Sequence, residues 1–152
     1  MKAVIQRVKT AAVAVDGETI SNVENGYMVL LGVMQGDTEK EMKLLASKVA
    51  GLRVFSDEND KMNLSVIDAG GEILVVSQFT LCADVSHGRR PSFIASAEPD
   101  TANKLYMSFC DELLSLGVKR VERGEFGAHM MVSLINDGPV TIIMNTDEWK
   151  KN

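Results

Sequence analysis

Ser77-Gln78-Phe79-Thr80 follows a strongly apolar segment and offers several groups that could act on a substrate. Ser77 and Thr80 supply hydroxyl groups, and Gln78 supplies a side-chain amide. If a strand splays at this point, its backbone N–H groups can point at a developing oxyanion. A hydroxyl nucleophile needs an activating base, and no obvious base stands beside Thr80 in the sequence. The plainer alternative is a strand end whose polar side chains only satisfy its own hydrogen bonds.

A second candidate is Gly138-Pro139 within "SLINDGPVT", where consecutive Asn, Asp, Gly and Pro predict a turn between two strands. About 5–6% of X–Pro bonds in folded proteins are cis, so trans is the default for this bond. In a cis pair the two carbonyl oxygens can point the same way and form a rigid pair of acceptors. Such a pair is able to hold an ammonium group.

The motifs of several common enzyme classes do not occur in the chain, which has no P-loop, GxGxxG, HExxH or GxSxG. A Ser-His-Asp triad would have to use His87 or His129, and neither accompanies a recognisable serine elbow. Cys82 and Cys110 form no CxxC pair, which argues against a zinc site and a disulfide framework. We therefore expect no metal site and no cofactor.

The net charge of −5 bears on which partners the chain can bind. Non-specific binding to long nucleic acid needs a basic field that displaces counterions, so we expect no general DNA binding. Recognition of one RNA end through a local basic patch remains compatible with this charge. Two patches are candidates, "HGRR" at residues 87–90 and the group Lys119, Arg120 and Arg123. The plainer interpretation of both is a solvated surface.

Length and composition predict a single domain over residues 1–152, with 45% hydrophobic and 24% charged residues. No apolar run approaches the roughly 20 residues of a membrane helix. The first residues contain no apolar stretch typical of a signal peptide, so we expect a cytoplasmic protein.

The elements that must position these residues alternate between strand and helix patterns. Asp16-Gly17 predicts a hairpin turn, and a Thr-x-x-Glu capping box at Thr38 opens a helix over about residues 38–52. A second hairpin is predicted around residues 69–71, with the strand that leads to Ser77 as its return strand.

A second helix is predicted from Pro99-Asp100, with Asp100 as N-cap and Gly117 as its stop. With three strands before, between and after the helices, the predicted order is βββ-α-βββ-α-βββ. This order favours an α/β fold with a mixed or two-layer, barrel-like sheet and two helices packed on one face.

Two stretches lie at the candidate site residues, "SQFTL" at residues 77–81 and "NDGPVT" at residues 136–141. Three more support them: "QRV" at residues 6–8, "KMNLSV" at residues 61–66 and "GRRPSF" at residues 88–93. Together, and in this order, they resemble the D-aminoacyl-tRNA deacylase family over essentially the whole chain.

The resemblance implies a cytoplasmic homodimeric enzyme that hydrolyses the ester between a D-amino acid and the 3′-terminal adenosine of tRNA. It implies that mischarged glycine is removed as well. Gly138-Pro139 would be a cis pair that enters the active site of the partner subunit, where its carbonyl oxygens hold the α-ammonium group. An L side chain would then meet backbone and be rejected. The partner is the acceptor end of aminoacyl-tRNA.

The resemblance also assigns roles to individual residues. It places four of them around the terminal adenosine and the ester: Ser77, Gln78, Phe79 and Thr80. The backbone N–H groups of Phe79 and Thr80 would stabilise the oxyanion, and a ribose hydroxyl of the tRNA would assist the attacking water. Arg7 would brace the Gly-Pro segment, and Ala102 would form a pocket wall.

Two other functions stay open from the residues themselves. The absence of a side-chain triad fits a non-catalytic domain that binds a small amine or a nucleotide in the same groove. A conventional Thr or Ser esterase that uses Thr80 as its covalent nucleophile is the other.

Overall fold

A computed structural model describes residues 1–150, so Lys151 and Asn152 of the predicted domain lie outside the described residues. The first two strands, β1 (Lys2–Val15) and β2 (Glu18–Gly32), form a long antiparallel hairpin. Asp16 and Gly17 connect them with φ values of 51° and 82°. Tight hairpin turns demand these positive values. The hairpin is therefore as predicted, but two long strands replace the three short ones expected here.

The main sheet contains β1, β2, β5 (Glu72–Ser77), β6 (Arg120–Arg123) and β7 (Met131–Asn145). The order of these five strands across the sheet is β6-β5-β2-β1-β7. β1 runs antiparallel to β2 and β7, whereas β5 runs parallel to β2 and β6. Two short strands, β3 (Phe55–Ser56) and β4 (Met62–Leu64), pair separately. The mixed sheet is confirmed, and the sheet is not closed into a barrel.

Both predicted helices are present. α1 (Glu39–Gly51) begins after Thr38, which forms the predicted capping box with Glu41. α2 (Pro99–Ser115) has Glu98 as its N-cap, so the prediction of Asp100 was wrong. Pro99 takes the first helical position, where its missing N–H has no intrahelical acceptor to lose. Asp100 instead lies in the first turn, where its negative charge favours the helix dipole.

The two helices pack on one face of the sheet, as predicted. In β5, Ile73 and Val75 point to the helix layer, and Leu74 and Val76 belong to a second apolar cluster on the other face. Full burial of a side chain of this size contributes about 1.5–3 kcal/mol. The buried Tyr106 of α2 donates its hydroxyl to the Val75 carbonyl at 2.7 Å. This bond ties α2 to the strand that leads to Ser77.

The predicted second hairpin was wrong, because β5 pairs with β2 and β6 and not with the segment before it. A parallel pair needs a crossover connection, and here α1 lies between β2 and β5 in the chain. The two strands approach closely at Gly26, where an added Cβ would lie 1.7 Å from the Glu72 carbonyl oxygen. Glycine at this position therefore permits the pairing that carries β5 to the site.

Candidate active site

The strand end at Ser77 opens into a short 3-10 helix, Phe79–Cys82. The Gln78 N–H still donates to the Leu31 carbonyl at 2.8 Å, which continues the ladder by one residue. Among residues 1–150, the next two backbone N–H groups, of Phe79 and Thr80, have no acceptor. The first N–H groups of a helix have no intrahelical partner. They are therefore available to a developing oxyanion or another acceptor.

These residues border a cleft of about 500 Å³, here called the strand-end cleft. Ser77, Gln78 and Phe79 line one side, and Ala102 at the start of α2 lines another. Ala102 is only 8% exposed, so a larger side chain there would enter the cleft. Phe79 is 55% exposed, which leaves its ring free to contact a ligand. The structure thus brings together four of the residues predicted for the site.

Thr80 lies beside the strand-end cleft but does not line it. Its hydroxyl oxygen accepts a hydrogen bond from the Gln78 side-chain amide. An amide N–H is a donor and has no capacity to remove the hydroxyl proton. Thr80 therefore has a neighbour that orients it, and this neighbour is not a general base.

One wall of the cleft was not foreseen from the sequence. Its residues follow β6 and lead into β7: Phe126, Gly127, Ala128, His129, Met130 and Val132. His129 is the chemically distinctive member, and it makes no hydrogen bond to Ser77 or Thr80 in the structure. Without such a contact there is no preformed Ser-His or Thr-His pair. The only signal for this wall in the sequence was His129 as a candidate catalytic residue.

Gly138-Pro139 does not form the predicted turn between two strands, and that prediction was wrong. β7 is continuous across it, but the ladder with β1 shifts: Gln6 faces Thr141 and Val8 faces Asn136. Residues 137–140 therefore stand opposite a single residue, Arg7, and leave the ladder as a bulge. We call this segment the Gly-Pro bulge. The Gly138-Pro139 peptide bond is cis.

Side chains on both strands hold the Gly-Pro bulge in place. Arg7 donates from Nε to the Asp137 carbonyl at 3.0 Å and from Nη1 to the Val54 carbonyl at 2.6 Å. Asn136 accepts from the Val140 N–H at 2.9 Å through its side-chain oxygen. This bond satisfies a backbone donor that the bulge has taken out of the ladder. The guanidinium of Arg7 thus contacts the bulge.

The site residues predicted from the sequence fall into two separate places. Ser77, Gln78, Phe79 and Ala102 line the strand-end cleft, whereas the Gly-Pro bulge and Arg7 are absent from its lining. The bulge lies on β7, which is an edge strand of the sheet. The strand-end cleft of one chain therefore does not include the Gly-Pro bulge.

The remaining candidate groups are structural. Cys82 and Cys110 are free and buried. Burial raises the pKa of the Cys110 thiol to about 12 and raises that of Cys82 above its ordinary value. Neither is therefore a reactive thiolate near neutral pH. Within residues 1–150, no group of three or more His, Cys, Asp or Glu side chains is arranged to hold a metal ion.

No helix in the described part of the chain is long and apolar enough to cross a membrane.

A cleft that combines free backbone N–H groups with hydroxyl and amide side chains has the parts of an acyl-ester hydrolase. The family model described as "D-Tyr-tRNA(Tyr) deacylase" matches residues 4–145. The chain belongs to the D-aminoacyl-tRNA deacylase family, whose members are ester hydrolases. The resemblance of the five sequence stretches is thereby confirmed.

Individual relatives agree with this assignment. The chain is 56% identical over 146 residues to the D-aminoacyl-tRNA deacylase of Thermosipho africanus, covering 96% of this chain and 97% of the relative. It is 50% identical over 152 residues to the D-aminoacyl-tRNA deacylase of Geobacillus sp. strain WCH70, covering 100% of this chain and 99% of the relative.

Solved structures have the same fold. One, described as "c-Myc DNA Unwinding Element Binding Protein", has a TM-score of 0.91 and 44% identity, covering 95% of this chain and 98% of that chain. Another is described as "a probable eukaryotic D-amino acid tRNA deacylase" and has a TM-score of 0.80. It covers 94% of this chain and 97% of that chain at 17% identity, and is similar in fold alone.

Proposed function

We propose that this chain hydrolyses the ester between a D-amino acid, or mischarged glycine, and the 3′-terminal adenosine of tRNA. The observation that carries the proposal is the strand-end cleft with the unpaired N–H groups of Phe79 and Thr80 at its border. Ester hydrolysis passes through a tetrahedral oxyanion, and backbone N–H groups are suitable donors to it. The family membership identifies the substrate class.

In the proposed mechanism, the terminal adenosine and its ester occupy the strand-end cleft beside Ser77 and Gln78. The N–H groups of Phe79 and Thr80 hold the oxyanion, where one such donor is typically worth about 10²–10³ in kcat. Water is the nucleophile, and the neighbouring ribose hydroxyl of the tRNA assists it. Two observations favour water over Thr80 as the nucleophile: the Thr80 hydroxyl accepts from the Gln78 amide, and no hydrogen bond joins this hydroxyl to His129.

Selection against L-amino acids is proposed to come from the Gly-Pro bulge of a second copy of the chain. The carbonyl oxygens of Gly138 and Pro139 would accept hydrogen bonds from the α-ammonium group, and an L side chain would meet backbone. Support comes from the position of the bulge, which lies on the edge strand β7 and outside its own chain's cleft. Four large apolar side chains of β7 are exposed: Met131, Val132, Ile135 and Ile143.

An exposed apolar edge strand is a suitable surface for a second copy. In a symmetric dimer each bulge would reach the other chain's cleft, which would give two complete sites. Arg7 acts in this scheme as a positioning residue, because its contacts are to the bulge and to Val54. The predicted cytoplasmic location fits an enzyme whose substrate is tRNA.

The test of the proposed function is deacylation of matched D-Tyr-tRNA and L-Tyr-tRNA by the purified protein, without added metal and with chelator. We expect multiple turnovers of the D ester and an intact L ester. Hydrolysis of both esters would support esterase activity and contradict chiral rejection by the bulge. If the folded protein hydrolysed neither and bound adenosine or a D-amino acid analogue, it would be a binding domain.

Thr80→Val separates the proposed mechanism from a covalent one, because valine keeps the shape and the backbone N–H and removes the hydroxyl. We expect the variant to keep its rate within about tenfold, since the oxyanion donor is retained. Loss of all activity, together with a trapped acyl-enzyme in the wild type, would make Thr80 the nucleophile. Ser77→Ala is the matched variant for the hydroxyl that does line the cleft.

A further inference from the structure

A projecting hairpin loop, residues 84–92, stands next to the strand-end cleft and is called the basic loop. Its neck is closed by two backbone hydrogen bonds, from Asp84 N–H to the Ser92 carbonyl at 2.8 Å and back from Ser92 N–H to the Asp84 carbonyl at 2.9 Å. Residues 85–91 at its tip are all exposed. The loop therefore has a defined base and a tip that is free to meet a partner.

The tip carries Arg89 and Arg90, and neither forms an ion pair with any acid in the described part of the chain. The loop's own acid, Asp84, accepts from the backbone N–H and the hydroxyl of Ser86, at 2.9 and 2.6 Å. Its carboxylate is thus engaged within the loop. In a chain with a net charge of −5, two unpaired guanidinium groups on consecutive residues form a local positive site.

The other basic candidate patch is partly neutralised: Arg120 is ion-paired, while Lys119 and Arg123 form no ion pair in the described part of the chain. Arg120 contacts Glu72 at 3.4 Å and Glu122 at 2.5 Å, so its charge is offset by two carboxylates. Arg120 also borders a different cavity, on the sheet face away from the helices, together with Thr10, Asn22 and Ser133. Of the two patches, only the basic loop has both its arginines unpaired and leads directly into Phe93, which packs on Phe79 of the strand-end cleft.

A continuous path joins the basic loop to the cleft. Phe93, directly after the loop, packs edge to face on Phe79 with ring centroids 5.0 Å apart. Ser96 and Ala97 then line the cleft itself. Arg90 is three residues from Phe93, so their Cα atoms are at most about 11 Å apart. A ligand that fills the cleft and extends past Phe79 would meet first an aromatic ring and then the guanidinium groups.

We propose that the basic loop binds the backbone phosphates of the unpaired nucleotides that precede the terminal adenosine of tRNA, with Phe93 as a stacking surface for a base. Single-stranded RNA ends are typically bound in this way, through aromatic and guanidinium planes and phosphate contacts. The inference rests on the proposed function, because it places the terminal adenosine in the strand-end cleft. It explains how an acidic protein holds an RNA end.

The test compares Arg89→Ala/Arg90→Ala with the wild type on two esters, D-Tyr-tRNA and the D-tyrosyl ester of adenosine alone. Each phosphate contact to a single strand contributes about 0.7 to the slope of log affinity against log salt. Loss of two contacts should therefore reduce the slope of log kcat/KM for tRNA by about 1.4. Between 50 and 200 mM salt this difference is about sevenfold. KM for tRNA should rise, kcat should hold, and the adenosine ester should be unaffected.

Two variants serve as controls. Lys40→Ala/Lys43→Ala removes the same charge from exposed positions of α1 and should leave the salt slope unchanged. Arg89→Lys/Arg90→Lys keeps the charge and should restore most of the slope. An unchanged slope in the Ala variant, equal loss on both esters, or an equal effect of the α1 variant would overturn the inference.

A failure of the proposed function gives a different result, since the wild type would then hydrolyse neither ester. In that case, binding of uncharged tRNA measured by fluorescence anisotropy still decides the role of the loop. A salt slope about 1.4 smaller in Arg89→Ala/Arg90→Ala would uphold an RNA-binding loop. Equal slopes in the two proteins would reject it.

Discussion

Gly138→Ala tests the role of the Gly-Pro bulge most sharply among single substitutions. Gly138 has φ of +141°, a conformation that L side chains rarely adopt. An added Cβ would lie 2.7 Å from Val140 Cγ2, 2.9 Å from the Val140 backbone N and 3.3 Å from Arg7 Nη2. The contact with the backbone N has no rotamer that relieves it. The bulge must therefore either hold a strained conformation or move.

The size of the effect follows from these two outcomes. If the bulge holds, the unfavourable φ costs about 1–3 kcal/mol and the crowding about 1–3 kcal/mol more, so unfolding becomes easier by about 2–6 kcal/mol. If the bulge moves, the stability cost is smaller, but the carbonyl oxygens leave their positions. A displacement of about 1 Å at a reacting site can cost about 10²-fold in rate. Because the contact with the Val140 backbone N cannot be relieved in place, we expect the bulge to move, and therefore lower D-Tyr-tRNA turnover and a lower D/L ratio.

The assay pairs urea unfolding with deacylation of D- and L-Tyr-tRNA, and Gly17→Ala is the matched control. Gly17 also has a positive φ, of +82°, but nothing lies within 4 Å of an added Cβ. Its substitution should cost about 1–2 kcal/mol of stability and leave catalysis unchanged. A Gly138→Ala protein with the wild-type rate and D/L ratio would refute the proposed role of the bulge.

Three further predictions concern stability, the cleft and the bulge. Thr38→Ala should cost about 1 kcal/mol in urea melts at pH 7. The difference in unfolding free energy between wild type and variant should shrink as the pH falls from 4.5 towards 2. The Thr38 hydroxyl is the main cause that lowers the pKa of Glu41 from 4.5 to about 2, and protonation of Glu41 removes this stabilising contact. Ala102→Leu should fill the strand-end cleft and lower kcat/KM for D-Tyr-tRNA by roughly 10–200-fold, while Thr101→Leu on the exposed side of α2 should not. Asn136→Ala should lose about 1 kcal/mol in thermal unfolding and slow deacylation, because the Val140 N–H loses its acceptor; unchanged values in both assays would contradict this.

Local chemistry predicted several elements well. The capping box at Thr38 located the start of α1, and Asp16-Gly17 located the turn of the first hairpin. The polar residues after the apolar run do lie at a strand end. In each case the signal lies within a few residues of the feature, so no distant partner has to be known.

The features that the sequence did not reveal depend on distant partners. β5 pairs with β2 and β6 through crossovers, and no local pattern distinguishes such a strand from the second arm of a hairpin. Asn136, Asp137, Gly138 and Pro139 have turn propensities, but pairing with β1 on both sides keeps β7 continuous and makes the segment a bulge. The wall at residues 126–130 consists of ordinary residues that the fold brings to the cleft.

The most direct test of a site shared between two chains is complementation between Gly138→Ala and Ala102→Leu. One variant keeps an intact cleft and the other an intact Gly-Pro bulge, and each alone should deacylate D-Tyr-tRNA poorly. When the two are unfolded together and refolded, half of the dimers should be mixed, each with one complete site. The mixture should therefore recover about a quarter of the wild-type rate. A mixture no more active than the two separate variants would show that the bulge and the cleft do not act across chains.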